Sequence, residues 1–266
     1  MNTKDTNPNS PMEKLLSVME RLRDQETGCE WDKEQTFNSI APFTIEEAYE
    51  VADAISRENY NDLKLELGDL LLQVVFLSQI AKEEGLFEFE DVANAISNKL
   101  ISRHPYVFES PKKHTSNEQL ESWEDTKAQE RKELNFESLM DDIALTLPAL
   151  MRSQRIQKRA SRAGFDWSSF DGYFGKIQEE LDELKVAIKN NDHENIEEEV
   201  GDLLMILTNL SRHLKVDAET ALDKSNRKFE KRFRYIEDEL KKAGKNVNGS
   251  SLEEMDKLWD EAKLIN

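Results

Sequence analysis

The sequence predicts an all-α protein built as two tandem, four-helix-bundle-like repeats. Three observations carry that reading. Five acidic residues, Glu46, Glu47, Glu50, Glu66 and Asp69, recur as Glu179, Glu180, Glu183, Glu199 and Asp202, each 133 positions further on. All four tryptophans are paired by the same repeat, Trp31 with Trp167 and Trp123 with Trp259, each at an offset of 136. Only 9 glycines and 6 prolines interrupt the 266 residues, which suits long helices joined by short loops.

Residues 1–11, rich in Asn, Thr, Ser and Pro, read as a disordered tail. Leu15, Leu16, Met19 and Leu22 at helical spacing predict an amphipathic helix from Met12 to Arg23. The stretch GCEWDKEQT then reads as a loop, with Gly28 ending the helix. Thr44, followed three residues later by Glu47, fits a capping box for a helix through Glu50 to about Ser56. A turn at Asn59–Asp62 leads to a helix from Leu63 to Glu84 that is apolar nearly all round, a pattern normally buried. Glu90–Arg103 is helical and stops at His104-Pro105. The polar stretch Glu109–Gln119 reads as a mobile loop, and Trp123 lies in a helical segment ending near Leu134.

The second half repeats this plan. Leu147–Ala163 is helical and closes at Gly164, as the first helix closes near Gly28. Ile177–Lys189 carries the second acidic trio, Ile196–Leu214 is the second apolar helix, and Ala218–Glu239 is a long amphipathic helix. The domains expected are a first repeat over 12–131, a linker over 132–145 and a second repeat over 146–266, because ELNFESLMDDIAL has no counterpart in the first half.

Composition narrows the function classes. A net charge of −19 argues against a duplex nucleic-acid partner, whose affinity rests on Lys/Arg–phosphate contacts. It leaves a nucleotide open, because a metal ion can supply the missing positive charge. The single cysteine, Cys29, permits no intramolecular disulfide. The polar N-terminus has no apolar signal core, and no apolar run approaches the ~18–20 residues of a membrane span. The expectation is a cytoplasmic protein with no membrane partner.

The repeated acids point to bound divalent metal. Residues three or four apart share a helix face, so Glu47 projects with Glu50, Glu66 with Asp69, Glu180 with Glu183 and Glu199 with Asp202. The 15 residues between Glu50 and Glu66 let the chain return antiparallel, so four carboxylates can converge between two helices. Glu66, Asp69, Glu199 and Asp202 lie in the most apolar helix of each repeat, where ionised carboxylates cost several kcal/mol unless a proton or cation compensates. Mg2+ suits a few carboxylates with waters and phosphates completing its shell. A di-iron bundle needs Glu-x-x-His, and none of His104, His114, His193 and His213 follows a Glu by three. A non-enzymatic helical adaptor accounts for the charge but not for acids inside apolar helices. An enzyme narrowed to one aberrant or deoxy nucleotide needs a base-reading motif, and no motif shows one.

EExxE, about fifteen residues, then ExxD resembles the signature of the all-α nucleoside triphosphate pyrophosphohydrolases, and within them the two-repeat MazG family. GCEWDKEQTF, TIEEAYEVADAI, ELGDLLLQVVF, SRHPYVF, LPALMRSQRIQKRASRAGFDW, EEVGDLL, NRKFEKRF and SLEEMDKLW carry the resemblance over nearly the whole chain. Glu30 departs from it, standing where the family usually has Pro before Trp-Asp. The resemblance implies hydrolysis of NTPs and dNTPs between the α- and β-phosphates, broad base tolerance, Mg2+ as cofactor with Mn2+ able to substitute, a homodimer and a role in nucleotide-pool control. It also implies that the second repeat is the competent one. The residues agree, because Lys176 has Phe43 as its counterpart and NRKFEKRF supplies Lys228, Lys231 and Arg232.

The expected site therefore has Glu180, Glu183, Glu199 and Asp202 as primary metal ligands, and Glu47, Glu50, Glu66 and Asp69 as a secondary set. Glu179 and Glu180 carry the catalytic roles, with Glu179 as the outer acid or base. Lys176, Glu179, Lys228 and Arg232 face the nucleotide. Trp259 either stacks on the base or anchors the C-terminal tail.

Overall fold

The computed structural model describes residues 10–109, 115–133 and 136–265. Twelve α-helices and one 3₁₀ turn are found, and no strand occurs among the described residues. The fold is all-α, as the periodicity predicts. The chain divides into two compact units, Met1–Gln129 and Glu130–Asn266.

In the first unit, α1 (Pro11–Leu22) starts at a reciprocal cap in which Ser10 and Glu13 each accept the other's backbone N–H, with Pro11 at the first helical position. Gly28 closes the turn after α1. A Cβ there would meet the carbonyl oxygens of Leu22 and Asp24 at 2.4 Å, so only glycine fits. The stretch expected as a loop contains a short helix, α2 (Glu30–Glu34).

The next helix begins earlier than Thr44. α3 (Phe37–Ser56) is capped reciprocally by Thr36 and Ser39, and Thr44 lies inside it, its hydroxyl donating back to the Ile40 carbonyl at 3.3 Å. Pro42 sits within the first two turns and does not stop the helix. α4 (Tyr60–Glu83) starts from an Asn59 cap and pairs with α3 as a hairpin, while α1 lies on α4. α5 (Phe89–Arg103) ends before His104-Pro105, and α6 (Pro105–Phe108) is a single turn. The loop expected over 109–119 gives way by Ser116 to α7 (Ser116–Glu133); residues 110–114, like 1–9, lie outside the described residues.

The core of this unit is Met19, Ile40, Val75, Phe76 and Ile80. Arg23 crosses its edge, 5% exposed, donating to Glu83 at 2.6 Å and to the Gln35 carbonyl at 3.2 Å. Desolvation pushes the Glu83 carboxyl up, but hydrogen bonds from Arg23 and Gln79 outweigh it and hold the carboxyl below its usual 4.5. A depressed folded value stabilises the fold above the unfolded pKa and is lost as pH falls through the folded one. Glu83→Gln should therefore cost about 2 kcal/mol at pH 7. In urea titrations the gap from wild type should close as pH drops below 4.5. An unchanged gap at acid pH would separate the effect from the charge.

The second unit is built on a hairpin of α9 (Phe170–Asn190) and α10 (His193–His213). α8 (Ala149–Arg162) packs on α10; α11 (Ala218–Lys242) lies on both; a 3₁₀ turn (Val247–Gly249) brings α12 (Leu252–Ile265) onto α11. No element is expected for that last segment from the sequence alone. Arg159 fastens the preceding segment to α8, donating to the carbonyls of Leu139, at 2.9 Å, and Asp141.

One expectation is corrected. α4 and α10 are not buried all round. Leu65 and Leu67 on α4, and Val200, Leu204, Met205 and Leu207 on α10, are exposed within the chain. Their neighbouring helices leave these apolar residues uncovered within the chain. No described helix is long and apolar enough to cross a membrane.

Candidate metal centre and adjoining cavity

The α9–α10 hairpin turns at Asn191 in the left-handed conformation (φ 52°), and Asp192 caps α10 by accepting from the Asn195 N–H. This tight return sets the acids of one helix against those of the other. Carboxylate oxygens of Glu180, Glu199 and Asp202 lie within 4.8 Å of one another, as do those of Glu179, Glu180 and Glu183. Glu180 is 3% exposed and Glu199 8%, while Glu179 and Glu183 face solvent. Lys176 Nζ lies 2.6 Å from both Glu179 Oε1 and Glu180 Oε1.

These charges sort the protonation states. Hydrogen bonding to Lys176 outweighs desolvation and holds Glu180 below the usual carboxylate range. Glu199 is pushed up to about 7, first by sharing a proton with Glu180, then by desolvation and the charges of Glu183, Glu180 and Asp202. Desolvation and Glu180 also raise Glu183. Crowded carboxylates with a single ammonium, Lys176, among them are chemically suited to a cation, and the all-oxygen donor set fits Mg2+.

In the first unit Glu47, Glu66 and Asp69 converge within 4.8 Å in the same way. Here Glu47 and Glu66 are only half-buried and Asp69 is exposed. Glu50 joins them through a hydrogen bond to Glu66, and desolvation with mutual repulsion raises Glu47 and Glu66. Phe43 stands where the second unit has Lys176.

Beside the second cluster lies a cavity of about 440 Å³. It is lined by Glu180, Asp202 and Lys176, by the apolar Phe165, Trp167, Met205 and Ile206, and by Gln157, Asp166 and Asn209. The other candidate nucleotide residues are not among its lining. Arg232 lies over the Trp259 ring, 5.5 Å from its centroid, and Phe229 packs on that ring at 5.1 Å. Lys228 is exposed on the same helix.

A model of the MazG nucleotide pyrophosphohydrolase domain matches this chain twice, over residues 35–108 and 169–236. The chain belongs to the MazG family. A nucleoside triphosphate pyrophosphohydrolase of Escherichia coli (strain K12) is 50% identical over 254 residues, covering 95% of this chain and 97% of its own. The nucleoside triphosphate pyrophosphohydrolase/pyrophosphatase MazG of Thermotoga maritima is 47% identical over 251 residues, 94% of this chain and 95% of its own. The Bacillus subtilis protein YabN is 42% identical over 93% of this chain, which spans 50% of YabN.

In the second MazG repeat a network behind the acids escaped sequence reasoning. Asp166 accepts from the buried Tyr173 hydroxyl at 2.7 Å and from Arg212 at 2.5 Å; Arg212 also donates to Asn209 Oδ1 at 2.9 Å. Desolvation and Asp166 push Tyr173 up to about 12, so its proton stays in place. The sequence signal was faint: Tyr173 stands 133 positions after Ile40, and Asn209 133 after Phe76, polar groups where the first repeat is apolar. Trp167 is seated on Gly172, where an added Cβ would fall 2.3 Å from Trp167 Cδ1. Gly172→Ala should displace the indole. A blue or red shift in tryptophan emission and a several-fold rise in substrate KM should follow; unchanged values for both would show the indole position to be irrelevant.

Proposed function

We propose that the second repeat hydrolyses nucleoside triphosphates, NTP and dNTP alike, between the α- and β-phosphates in a Mg2+-dependent reaction. As a MazG-family member the chain is a nucleoside triphosphate pyrophosphohydrolase, yielding monophosphate and pyrophosphate. The observation that carries the site assignment is the meeting of Glu180, Glu199 and Asp202 on adjoining faces of α9 and α10, two of them lining a cavity together with Lys176.

Glu180, Glu183, Glu199 and Asp202 are the ligands for Mg2+, or for Mn2+ in its place. The bound cation would supply Lewis-acid polarisation of the phosphate and a water of lowered pKa. Lys176 is paired with Glu180 and Glu179, and once Glu180 serves a cation its ammonium is available to phosphate oxygens. Glu179, exposed at the rim, is placed to take or return a proton. Lys228 and Arg232 on α11 are further cations for departing pyrophosphate. Arg232 Nε is buried with no hydrogen-bond partner among the described residues, as suits a group awaiting an anion, and Trp259 holds its guanidinium from below.

The first repeat, with shallower acids and Phe43 in place of the lysine, is structural or weakly active. The outward apolar sides of α4 and α10 support a homodimer, and the reaction suits control of the nucleotide pool in a cytoplasmic setting. The test is product analysis on an NTP and dNTP panel, with and without Mg2+. Monophosphate plus pyrophosphate, only with metal, is expected; diphosphate plus phosphate would overturn attack at the α-phosphorus.

A further inference from the structure

The two repeats carry the same acids at the same spacing but differ in what stands one helical turn before them. In the first it is Phe43, packed edge-on against Trp31 with ring centroids 6.3 Å apart. In the second it is Lys176, whose Nζ lies 2.6 Å from Glu179 Oε1 and 2.6 Å from Glu180 Oε1.

These two contacts are unequal. The Glu179 side chain is 55% exposed, so water screens that pair and it holds the ammonium weakly. The Glu180 side chain is only 4% exposed. A carboxylate so placed is poorly hydrated, and Glu183, Glu199 and Asp202, grouped with it, are acids too. Lys176 is the one cation paired with Glu180 among the described residues. Glu180 is also the acid common to both carboxylate groups of the second repeat. The carboxylate that a divalent cation most needs is thus the one the lysine holds. An ammonium on Glu180 repels a cation arriving there, and a divalent cation on Glu180 repels the ammonium in turn. The lysine can leave with no movement of α9, because its ammonium ends a flexible four-carbon stem and is 35% exposed. It lines the cavity together with Glu180 and Asp202, so it stays beside the acids when it lets go.

We propose that Lys176 and a divalent cation compete for Glu180, so that the ammonium passes to the triphosphate only once a metal has taken its place. The inference rests on the pyrophosphohydrolase reading and adds the order of events at that site. While Lys176 is held by Glu180, the cluster presents mainly negative charge and turns a triphosphate away. With a cation on the acids, the cation and the freed ammonium both attract phosphate oxygens. Cation and substrate then favour each other's binding, and the coupling is reciprocal. The first repeat has no such exchange, because Phe43 has no ammonium to give up and none to offer.

The test is made in a Glu47→Ala background, which disables the acids of the first repeat. Lys176→Met keeps much of the stem and removes the charge. Without nucleotide, Mn2+ titration by paramagnetic resonance should show binding about tenfold tighter than with the lysine, the scale of one charged hydrogen bond that no longer has to be displaced. At saturating Mn2+ the same variant should bind α,β-methylene ATP about tenfold more weakly in calorimetry. The opposite signs are the signature. A lysine that only steadies the helix, or only meets phosphate, leaves the Mn2+ titration unchanged, and one that holds the acids in place for the metal makes it weaker; either result overturns the proposal. So does nucleotide binding that does not weaken. Lys185→Met removes the same charge from an exposed pair with Asp182 further along α9, and should change Mn2+ affinity less than about twofold. A gain equal to that of Lys176→Met would assign the effect to net charge and overturn the competition. Lys176→Gln repeats the test should Lys176→Met fail to fold. Should wild type release no pyrophosphate, the functional reading fails, and the Mn2+ titration still decides the competition by itself; a wild type that binds no Mn2+ removes both.

Discussion

Glu180→Ala is expected to lower pyrophosphate release measured with Mg2+ by about a thousandfold or more, with helical content unchanged. The magnitude follows from the several kcal/mol a bound metal contributes to a transition state, at about 1.4 kcal/mol per tenfold in rate. Glu180 is the acid common to both carboxylate groups of the second repeat, so its loss breaks both. The fold should tolerate the change. Lys176 keeps its partner Glu179 at 2.6 Å, Glu199 loses a crowding neighbour, and alanine is the best helix former. Melting no lower than wild type in metal-free buffer is therefore expected, and circular dichroism checks it. Glu47→Ala, the repeat-related change, should cost less than about twofold in rate. A large loss there would mean that the first repeat works or is coupled to the second. Full activity in the double variant would remove the metal-site reading.

Phe76→Ala should be among the most damaging changes to stability, about 3–5 kcal/mol. Its ring is buried with Met19, Ile40, Val75 and Ile80, meets Trp31 edge-on and lies 5.3 Å beneath the Arg23 guanidinium. Truncation removes the transfer energy and leaves a void that its helix-bound neighbours cannot collapse into. Urea unfolding followed by far-UV dichroism measures the cost; a loss under about 1 kcal/mol would show that the core does not depend on this ring. The second unit has Asn209 at the matching position and a cavity beside it, so it lacks this filling. Its unfolding should precede that of the first unit, and the wild-type transition should not be two-state.

Much of the site could be read in advance from the equal spacing of ten acids. Helical periodicity forces Glu180 with Glu183, and Glu199 with Asp202, onto shared faces, and the intervening turn forces the hairpin. Helix starts were less legible. Thr44 with Glu47 has the pattern of a cap, yet Thr36 and Ser39 close a better one upstream, because reciprocal capping there satisfies donors that a later start would leave free. Apolar periodicity overstates burial for α4 and α10, because it reports what can be buried, whereas Leu65 and Leu204 stay exposed beside the helices that pack there.

The residues read along the chain already carry the all-α class, the duplication, the candidate carboxylate set and the lysine that distinguishes the second repeat. These are local matters: periodicity, spacing and residue type decide them. Packing between helices sets that Glu180 and Glu199 are buried while Asp69 is not, that Trp259 lies under Arg232 and against Phe229, and that Trp167, Met205 and Asn209 line one space. A cavity is the volume that several elements fail to fill, and no single segment of the chain encodes it. Asn209 in α10 looks like any polar residue in an apolar helix, and only the fold shows it buried, bonded to Arg212 and lining that space.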